Sequence, residues 1–406
     1  MFKQDNPKTN QKNIAHAFFL SLAITIAEPS TILPLMIHHF SESVIIVGFF
    51  TALLRGGSFL VQFYAAFHAQ EYKRVLPYLR KVFFFRFLSW FMIGASIFIL
   101  GDQNKTLTLI FIGLGLFFFS FSAGFGAIYF KELQAKLFTK KYRGYTMANR
   151  NIASAIASII SGGVAGYVLA NFEPPLNYAY LFLFSSFLMA IGFISFATVE
   201  EPLKENISIK EKNFKEFIKN AIKLLKAEPI LKRQIVTIFL SYGYLIALPF
   251  IILNANSTFT LTGWSIGGFI TIQMIGSILG SLFLWRRMHE YNFMLSLSFI
   301  FLILAFIIAL FAKDFYSYSL IFLLFGVAFD GLKTSSMNLI IEIAPEDKRP
   351  VYTALQSNLT SLGMFFPILG GVILTYFHSY ELIYGLSIAL LSLGFYYSRK
   401  LNIKTL

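Results

Sequence analysis

Cysteine is absent from this chain of 406 residues, which removes disulfides, thiol catalysis and Cys-ligated metals from consideration. Charge is nearly as scarce: Asp, Glu, Lys and Arg supply 13% of residues, against roughly 25% in an ordinary soluble domain. Acid is the rarer sign, with 20 carboxylates facing 34 Lys and Arg, for a formal charge of +14. The six histidines (His16, His38, His39, His68, His289 and His378) lie near the ends of apolar runs or between them. They lack the spaced pairing that haem or a metal needs, and His38-His39 reads as an interfacial pair. There is no H-E-x-x-H helix, nucleophile motif or facing pair of aspartates, so neither an enzyme nor a bound cofactor is expected.

Apolar residues dominate instead, at 56% of the chain with 49 Phe among them, more than a soluble core absorbs. Several runs of 18 or more apolar residues mark a polytopic membrane protein. Twelve spans are expected, at about 14–37, 43–67, 82–100, 107–129, 147–170, 178–198, 231–254, 262–285, 292–312, 317–341, 351–377 and 380–398. The polar leader MFKQDNPKTNQKN precedes a segment too long for a signal-peptide core and without a small-residue cleavage site, so it is expected to stay as the first span. Of the 34 Lys and Arg, 28 fall in the segments on the N-terminal side of the membrane and two, Lys105 and Lys313, on the other. The positive-inside bias places both termini in the cytoplasm and accounts for the basic excess without nucleic acid.

The longest hydrophilic piece, 199–233, separates six spans from six. It predicts an N-terminal half over 1–198, a linker over 199–230 and a C-terminal half over 231–406. Within the linker Phe214, Phe217, Ile218, Ala221, Ile222 and Leu225 recur at helical spacing among seven lysines from Lys204 to Lys226. That pattern is an amphipathic helix on the cytoplasmic leaflet, serving as a tether more readily than as a regulatory site. The halves echo each other. Leu33-Pro34 is followed by Gly48 at the distance that separates Pro249 of Leu248-Pro249 from Gly263. Arg143-Gly144 with Gly162-Gly163 is matched by Arg349-Pro350 with Gly370-Gly371. A duplicated six-helix unit explains both matches, a common build of secondary transporters.

These features together resemble the major facilitator superfamily. The resemblance spans the chain: six plus six spans, a long basic central loop, and basic turns at 68–81 and 342–350. Its most specific part is NLIIEIAPEDKRPVYTALQSNLTSLGMFFPILGG, Asn338 to Gly371, which is similar to the span 10–11 junction of bacterial members of mostly unassigned substrate. The family's G-x-x-x-D-R-x-G-R-[RK] loop is represented by Ala65 to Arg74, which keeps only the final basic pair. The drug–proton antiporter signature G-P-x-x-G-G survives in span 5 only as Gly162-Gly163, so drug–proton antiport is not supported; Pro367-x-x-Gly370-Gly371 appears in span 11 instead. The resemblance implies an all-α fold of twelve transmembrane helices in two pseudo-symmetric bundles. Spans 1, 2, 4, 5, 7, 8, 10 and 11 would border a cavity and 3, 6, 9 and 12 would stand outside.

The charges within spans fit that division. Spans 6, 9 and 12 have none in their interiors, and Arg86 in span 3 is one turn from the end, close enough to snorkel to the headgroups. The deep charges are Glu28, Arg55, Asp330 and Lys333, and intramembrane charges face a bundle interior or wet cavity. Asp330 and Lys333 lie mid-way along IFLLFGVAFDGLKTSSMNLIIEI, three apart and therefore on one helix face. Two opposite-charge sets facing one cavity would allow proton coupling; static ion pairing is the alternative. Gln273, Tyr242, Tyr244, Gln356, Asn358, Asn149 and Asn151 are uncharged candidates, each equally able to serve as helix–helix glue. Lys131, Glu132, Arg143, Glu342, Asp347 and Arg349 suggest a cytoplasmic gate of salt bridges, with ordinary loop solvation as the alternative, and Arg150 a gate or lipid contact. Gly326 to Thr334 misses a P-loop by the intrusion of Leu332 and lies mid-span, which excludes nucleotide binding.

The expected function is therefore a secondary active transporter, in monomeric form, in the cytoplasmic (inner) membrane. It would move a small solute by alternating access with proton coupling. A non-transporting receptor or assembly factor on the same fold is the alternative.

Overall fold

The computed structural model describes residues 5–69, 72–203, 214–285, 288, 290–345 and 349–401. Among these residues every regular element is helical. The helices are α1 (Pro7–Ile26), α2 (Ile32–Phe40), α3 (Val44–Gly56), α4 (Phe59–Ala69), α5 (Leu76–Ile99), α6 (Lys105–Leu137), α7 (Lys140–Asn171), α8 (Leu176–Ala197) and α9 (Phe214–Ala227). They continue as α10 (Pro229–Ser241), α11 (Leu248–Thr258), α12 (Gly263–Leu279), α13 (Tyr291–Ala309), α14 (Phe315–Ile343), α15 (Arg349–Thr360), α16 (Phe366–Phe377) and α17 (Tyr380–Arg399). Ten helical segments are long and apolar enough to cross a membrane.

The first two expected spans are not continuous helices, and the sequence supplies the reason. Pro29 has no N–H to continue α1, which ends at Ile26, and the Glu28 carbonyl instead accepts from the N–H groups of Thr31, Ile32 and Leu33 at 3.0–3.3 Å. The chain restarts as α2, whose first turn tolerates Pro34. The second segment breaks after Gly56. A Cβ on Gly57 would stand 3.0 Å from the Ser120 Cβ and 3.1 Å from the Phe117 carbonyl, so α6 approaches the break closely. Ser120 Oγ accepts from the Ser58 N–H there at 3.2 Å.

The seventh and eleventh expected spans are interrupted in the same manner. A 3₁₀ stretch, Tyr242–Ile246, separates α10 from α11, and another, Ser361–Phe365, separates α15 from α16. Pro249 and Pro367 sit in the first turn of the helix that follows. The Leu-Pro pairs noticed in sequence thus both open the second piece of a broken segment. The eighth span is regular to Leu279 and then makes a π-helical turn over Gly280–Leu284.

Packing divides the chain into two compact units, residues 1–40 with 53–212 and residues 41–52 with 213–406. In the first, α1 packs on α7 and α8, and α5 on α6 and α8. In the second, α10 packs on α15 and α17, and α13 on α14 and α17. These four pairings in the second unit match the pairings of the corresponding helices in the first. Residues 41–52 belong with the second unit because α3 lies against α16: a Cβ on Gly48 would come within 2.2 Å of the Pro367 carbonyl, and one on Gly371 within 2.6 Å of the Val44 carbonyl. Part of α9 is seated on protein, while Ile222 of the expected stripe is exposed. Leu224 and Leu225 pack against a cluster that includes Leu231, Ile235, Ile340 and Tyr352. Phe214, Phe217, Ile218 and Ala221 of the expected amphipathic stripe have side chains outside the described residues.

Candidate functional site

In the second unit the mid-helix carboxylate Asp330 is held by α12 and the π turn that follows it. Its Oδ2 accepts from Ser277 Oγ at 2.5 Å and from Ser281 Oγ at 3.0 Å. Ser277 and Ser281 are one helical turn apart, so both hydroxyls face α14. Glycines let the two backbones close to this distance. A Cβ on Gly276 would meet the Leu323 carbonyl at 2.2 Å, and one on Gly326 the Gln273 carbonyl at 1.9 Å. The π turn starts one residue before Ser281, a local irregularity often found at functional sites. Just beyond it Trp285 Nε1 donates to the Val327 carbonyl at 3.0 Å, tying the turn to α14.

Lys333 does not complete this arrangement. It is exposed, and no ion pair joins it to Asp330 among the described residues. Three residues of separation put the two groups on neighbouring positions of α14, but Asp330 is turned toward the α12 hydroxyls.

In the first unit Glu28 occupies the break between α1 and α2. It is 8% exposed, and its Oε1 accepts from Ser30 Oγ at 2.9 Å and the Ser30 N–H at 3.2 Å. Arg55 sits at the end of α3 and is half-buried. The proline that ends α1 thus leaves a carboxylate at an irregular point of the backbone, where freed groups need a partner.

The uncharged candidates separate on inspection. Gln356 is shared among three helices: its Oε1 accepts from Gln234 Nε2 at 2.7 Å, and its Nε2 donates to Ser336 Oγ at 2.7 Å. That is helix–helix glue. Asn358 donates to the Ala354 carbonyl at 2.9 Å, and its buried Oδ1 has no partner among the described residues. Gln273 is buried on α12 next to the Gly326 contact. The Tyr242 ring lies over Gly363, and Tyr244 packs on Phe329 with ring centroids 4.9 Å apart. Asn149 is half-buried and Asn151 exposed.

Two of the gate candidates are engaged inside the first unit. Arg150 Nη1 donates to the Asn13 carbonyl and Oδ1, both at 2.6 Å, and its guanidinium lies 4.9 Å from the Phe130 ring centroid. Arg143 Nη2 donates to the carbonyls of Ala135 and Phe138 at 3.3 and 3.2 Å, satisfying acceptors at the C-terminal end of α6. Lys131 and Glu342 are exposed and Glu132 half-buried. Asp347 and the Arg349 side chain lie outside the described residues.

Arg86 departs from its expected course. Its guanidinium turns inward rather than toward headgroups, 4.3 Å from the Phe119 ring centroid and 5.6 Å from that of Phe193. The neighbouring Val82, Phe83, Ser89 and Trp90 are all buried, so this side of α5 faces α6 and α8, and aromatic faces substitute for water around the cation.

Sequence reasoning passed over a buried polar network beside Arg150. Gln134 Nε2 donates to Asn13 Oδ1 at 2.6 Å and Asn13 Nδ2 to Thr146 Oγ1 at 3.0 Å. Thr146 also donates to Asn10. His16 stands at its edge among Phe83, Phe130, Phe193 and Phe196. Asn10 and Asn13 lie in the polar leader, to which no role was given; their spacing within a helix starting at Pro7 was the available signal. Ser277 and Ser281 were also passed over, although two serines four apart, each after a glycine, mark one small, polar helix face.

Comparison with known proteins adds the following. The family model described as Major Facilitator Superfamily matches residues 15–367. No curated protein matches the chain in sequence. Among solved structures, a variant of the nucleoside transporter NupG superimposes with a TM-score of 0.73 at 12% identity, covering 97% of this chain and 100% of that one. A bacterial homologue of the iron transporter ferroportin in an inward-facing state gives 0.73 at 13% identity, with 99% and 100% covered. A bacterial metal transporter gives 0.64 at 15% identity, again with 99% and 100% covered.

Proposed function

This chain belongs to the major facilitator superfamily, a membrane transporter family, and we propose that it is a secondary active transporter that moves a small solute by alternating access with proton coupling. The ten long helices would be joined by the two broken segments, 7–40 and 44–69, to make twelve spans in two related halves. Both termini would be cytoplasmic, the membrane the cytoplasmic one, and the working form a monomer.

The observation that carries the coupling proposal is Asp330. A carboxylate at bilayer depth is costly, by about 2.5–3.5 kcal/mol on insertion scales, and such groups mark ion and substrate paths. Here its stabilisation comes from two hydroxyls rather than from a cation. A hydroxyl can donate to the ionised form and accept from the protonated one, so the site can hold the group in either state. That is the property a proton carrier needs. Glu28 supports the same reading in the first unit, where the Ser30 hydroxyl does the equivalent work.

Purified protein in liposomes loaded with a pH-sensitive dye tests the proposal. A panel of metabolites and amphipathic solutes is added to wild type and to Asp330→Asn. A solute-dependent pH change in wild type that Asp330→Asn lacks is the expected result. Labelled solute uptake with no pH change overturns the proton, and no movement of any solute by either protein favours a receptor or assembly role.

A further inference from the structure

Away from the mid-helix carboxylates, the turn leading into α5 has a feature that solute transport does not explain. Residues 71–81 carry four cations, Lys73, Arg74, Arg80 and Lys81, against the single carboxylate of Glu71. None of the four forms an ion pair with a carboxylate among the described residues. Two adjoining clefts of about 470 Å³ each open between them, sharing Arg74 and Pro77 as common walls. Glu201 borders one cleft, but its charge is spent. Its Oε1 accepts from Lys136 Nζ at 2.6 Å and the Val75 N–H at 2.8 Å, and its Oε2 from the Leu76 N–H at 2.8 Å. The start of α5 is thus already capped, and among the described residues lining the clefts Glu200 is the other carboxylate.

The cations are also positioned. Arg80 Nε donates to the Ala197 carbonyl at 2.9 Å, which fixes the guanidinium and leaves its terminal nitrogens to a further acceptor. Tyr72 and Tyr78 stack with centroids 4.0 Å apart, and Lys81 Nζ lies 6.0 Å from the Tyr78 centroid. Beyond Lys81 the same helix exposes Phe84, Phe85, Leu88 and Phe91. From Lys81 to Phe91 α5 rises about 15 Å, half of a hydrocarbon core of about 30 Å. Basic head, aromatic collar and apolar face therefore follow one another over the depth of one leaflet.

We propose that this cleft is a binding site for an anionic phospholipid, its phosphate held by Lys73, Arg74, Arg80 and Lys81 and its acyl chains laid along the Phe84–Phe91 face of α5. The apolar continuation is what selects a lipid over a soluble phosphate, and the unpaired cations are what select an anionic headgroup over a zwitterionic one.

The test uses the full chain, delipidated in a neutral detergent. Native mass spectrometry and thermal unfolding are recorded with phosphatidylglycerol, phosphatidylcholine or inorganic phosphate. Phosphatidylglycerol should bind and raise the unfolding temperature, and the other two should not. The triple variant Lys73→Gln, Arg74→Gln, Lys81→Gln should weaken phosphatidylglycerol binding by about fivefold for each cation removed, while unfolding at the wild-type temperature without lipid. Should the triple variant fail to fold, Lys81→Gln alone must still give its own fivefold loss. A control replacing the linker cations Lys219, Lys223 and Lys226 with Gln should bind as wild type does. Equal binding of the two lipids, or unchanged binding by the α5 variants, overturns the proposal. A response to inorganic phosphate equal to that of the lipid would make this a soluble-anion site and overturn it equally.

Discussion

At the scale of single residues, the fate of each buried charge depends on what the neighbouring helix offers. Asp330 meets two serine hydroxyls, Arg86 two phenylalanine faces, and Arg150 an asparagine carbonyl and amide oxygen. A carboxylate that loses its donors keeps the full cost of desolvation, typically ~1–3 kcal/mol per missing bond and more when charged. Ser277→Ala and Ser281→Ala should therefore each lower solute-driven proton movement several-fold in the liposome assay. The double variant should approach Asp330→Asn. Retention of full activity by the double variant would show that the hydroxyls do not serve the carboxylate's function. Asp330 itself stood out in sequence because it interrupts an apolar run. Its serines did not, because a hydroxyl on an apolar helix is commonplace until an acceptor is known to face it. The pairing with Lys333 failed for a related reason: three residues of separation fixes proximity along a helix but not the direction in which either side chain finds its best partner.

At the scale of elements, prolines and glycines decide where helices break and where they touch. Pro29, Pro249 and Pro367 each accompany an interruption, and Gly276 and Gly326 set the α12–α14 distance. Gly326→Ala would place a Cβ 1.9 Å from the Gln273 carbonyl, and backbone cannot yield as a side-chain tip does. Overpacking of this kind costs ~1–3 kcal/mol. A clear fall in unfolding temperature is expected, together with loss of transport as Ser277 and Ser281 are pushed from Asp330. Gly163, which has nothing within 4 Å of an added Cβ, should accept Ala with no such fall.

The start of α14 provides a pH-dependent case. Asp314 and Ser317 form a reciprocal capping box, and the Ser317 N–H and hydroxyl hold the Asp314 carboxyl below the usual carboxylate range. A lowered pKa means the cap contributes fully above the ordinary carboxylate value and fades as pH falls through the lowered one. The stability deficit of Asp314→Ala should therefore be largest near neutral pH and shrink in acid. Unfolding temperatures of both proteins across that range check it.

At the scale of the whole molecule, four helix pairings recur in both units, although only some of the paired sequence landmarks do the same work. A Cβ on Gly371 would come within 2.6 Å of the Val44 carbonyl, whereas one on its counterpart Gly163 would meet no described residue within 4 Å. Membrane orientation is testable with little effort because the chain has no cysteine. Lys313→Cys and Lys223→Cys, made separately, place lone thiols in the loop before α14 and on the exposed side of α9. An impermeant maleimide applied to intact cells should label the first and not the second. The reverse pattern would invert the topology, and labelling of both would deny that the two positions lie on opposite sides.

Composition and order alone determined that this is a polytopic, all-helical membrane protein, because apolar runs of bilayer length have no alternative fold that satisfies their backbone in lipid. They also marked the residues whose burial would be costly. Tertiary structure decided how that cost is met: hydroxyls on α12 for Asp330, the Ser30 turn for Glu28, aromatic faces for Arg86, and a shared amide network for Arg150. Such partners lie tens of residues away on other helices, and which side chains face each other there is set by helix rotation and close glycine contacts. Neither leaves a periodic trace in the chain. The basic cleft at α5 was visible in the sequence as charge. It became a site only when Glu201 was found capping the helix and Arg80 held beside it.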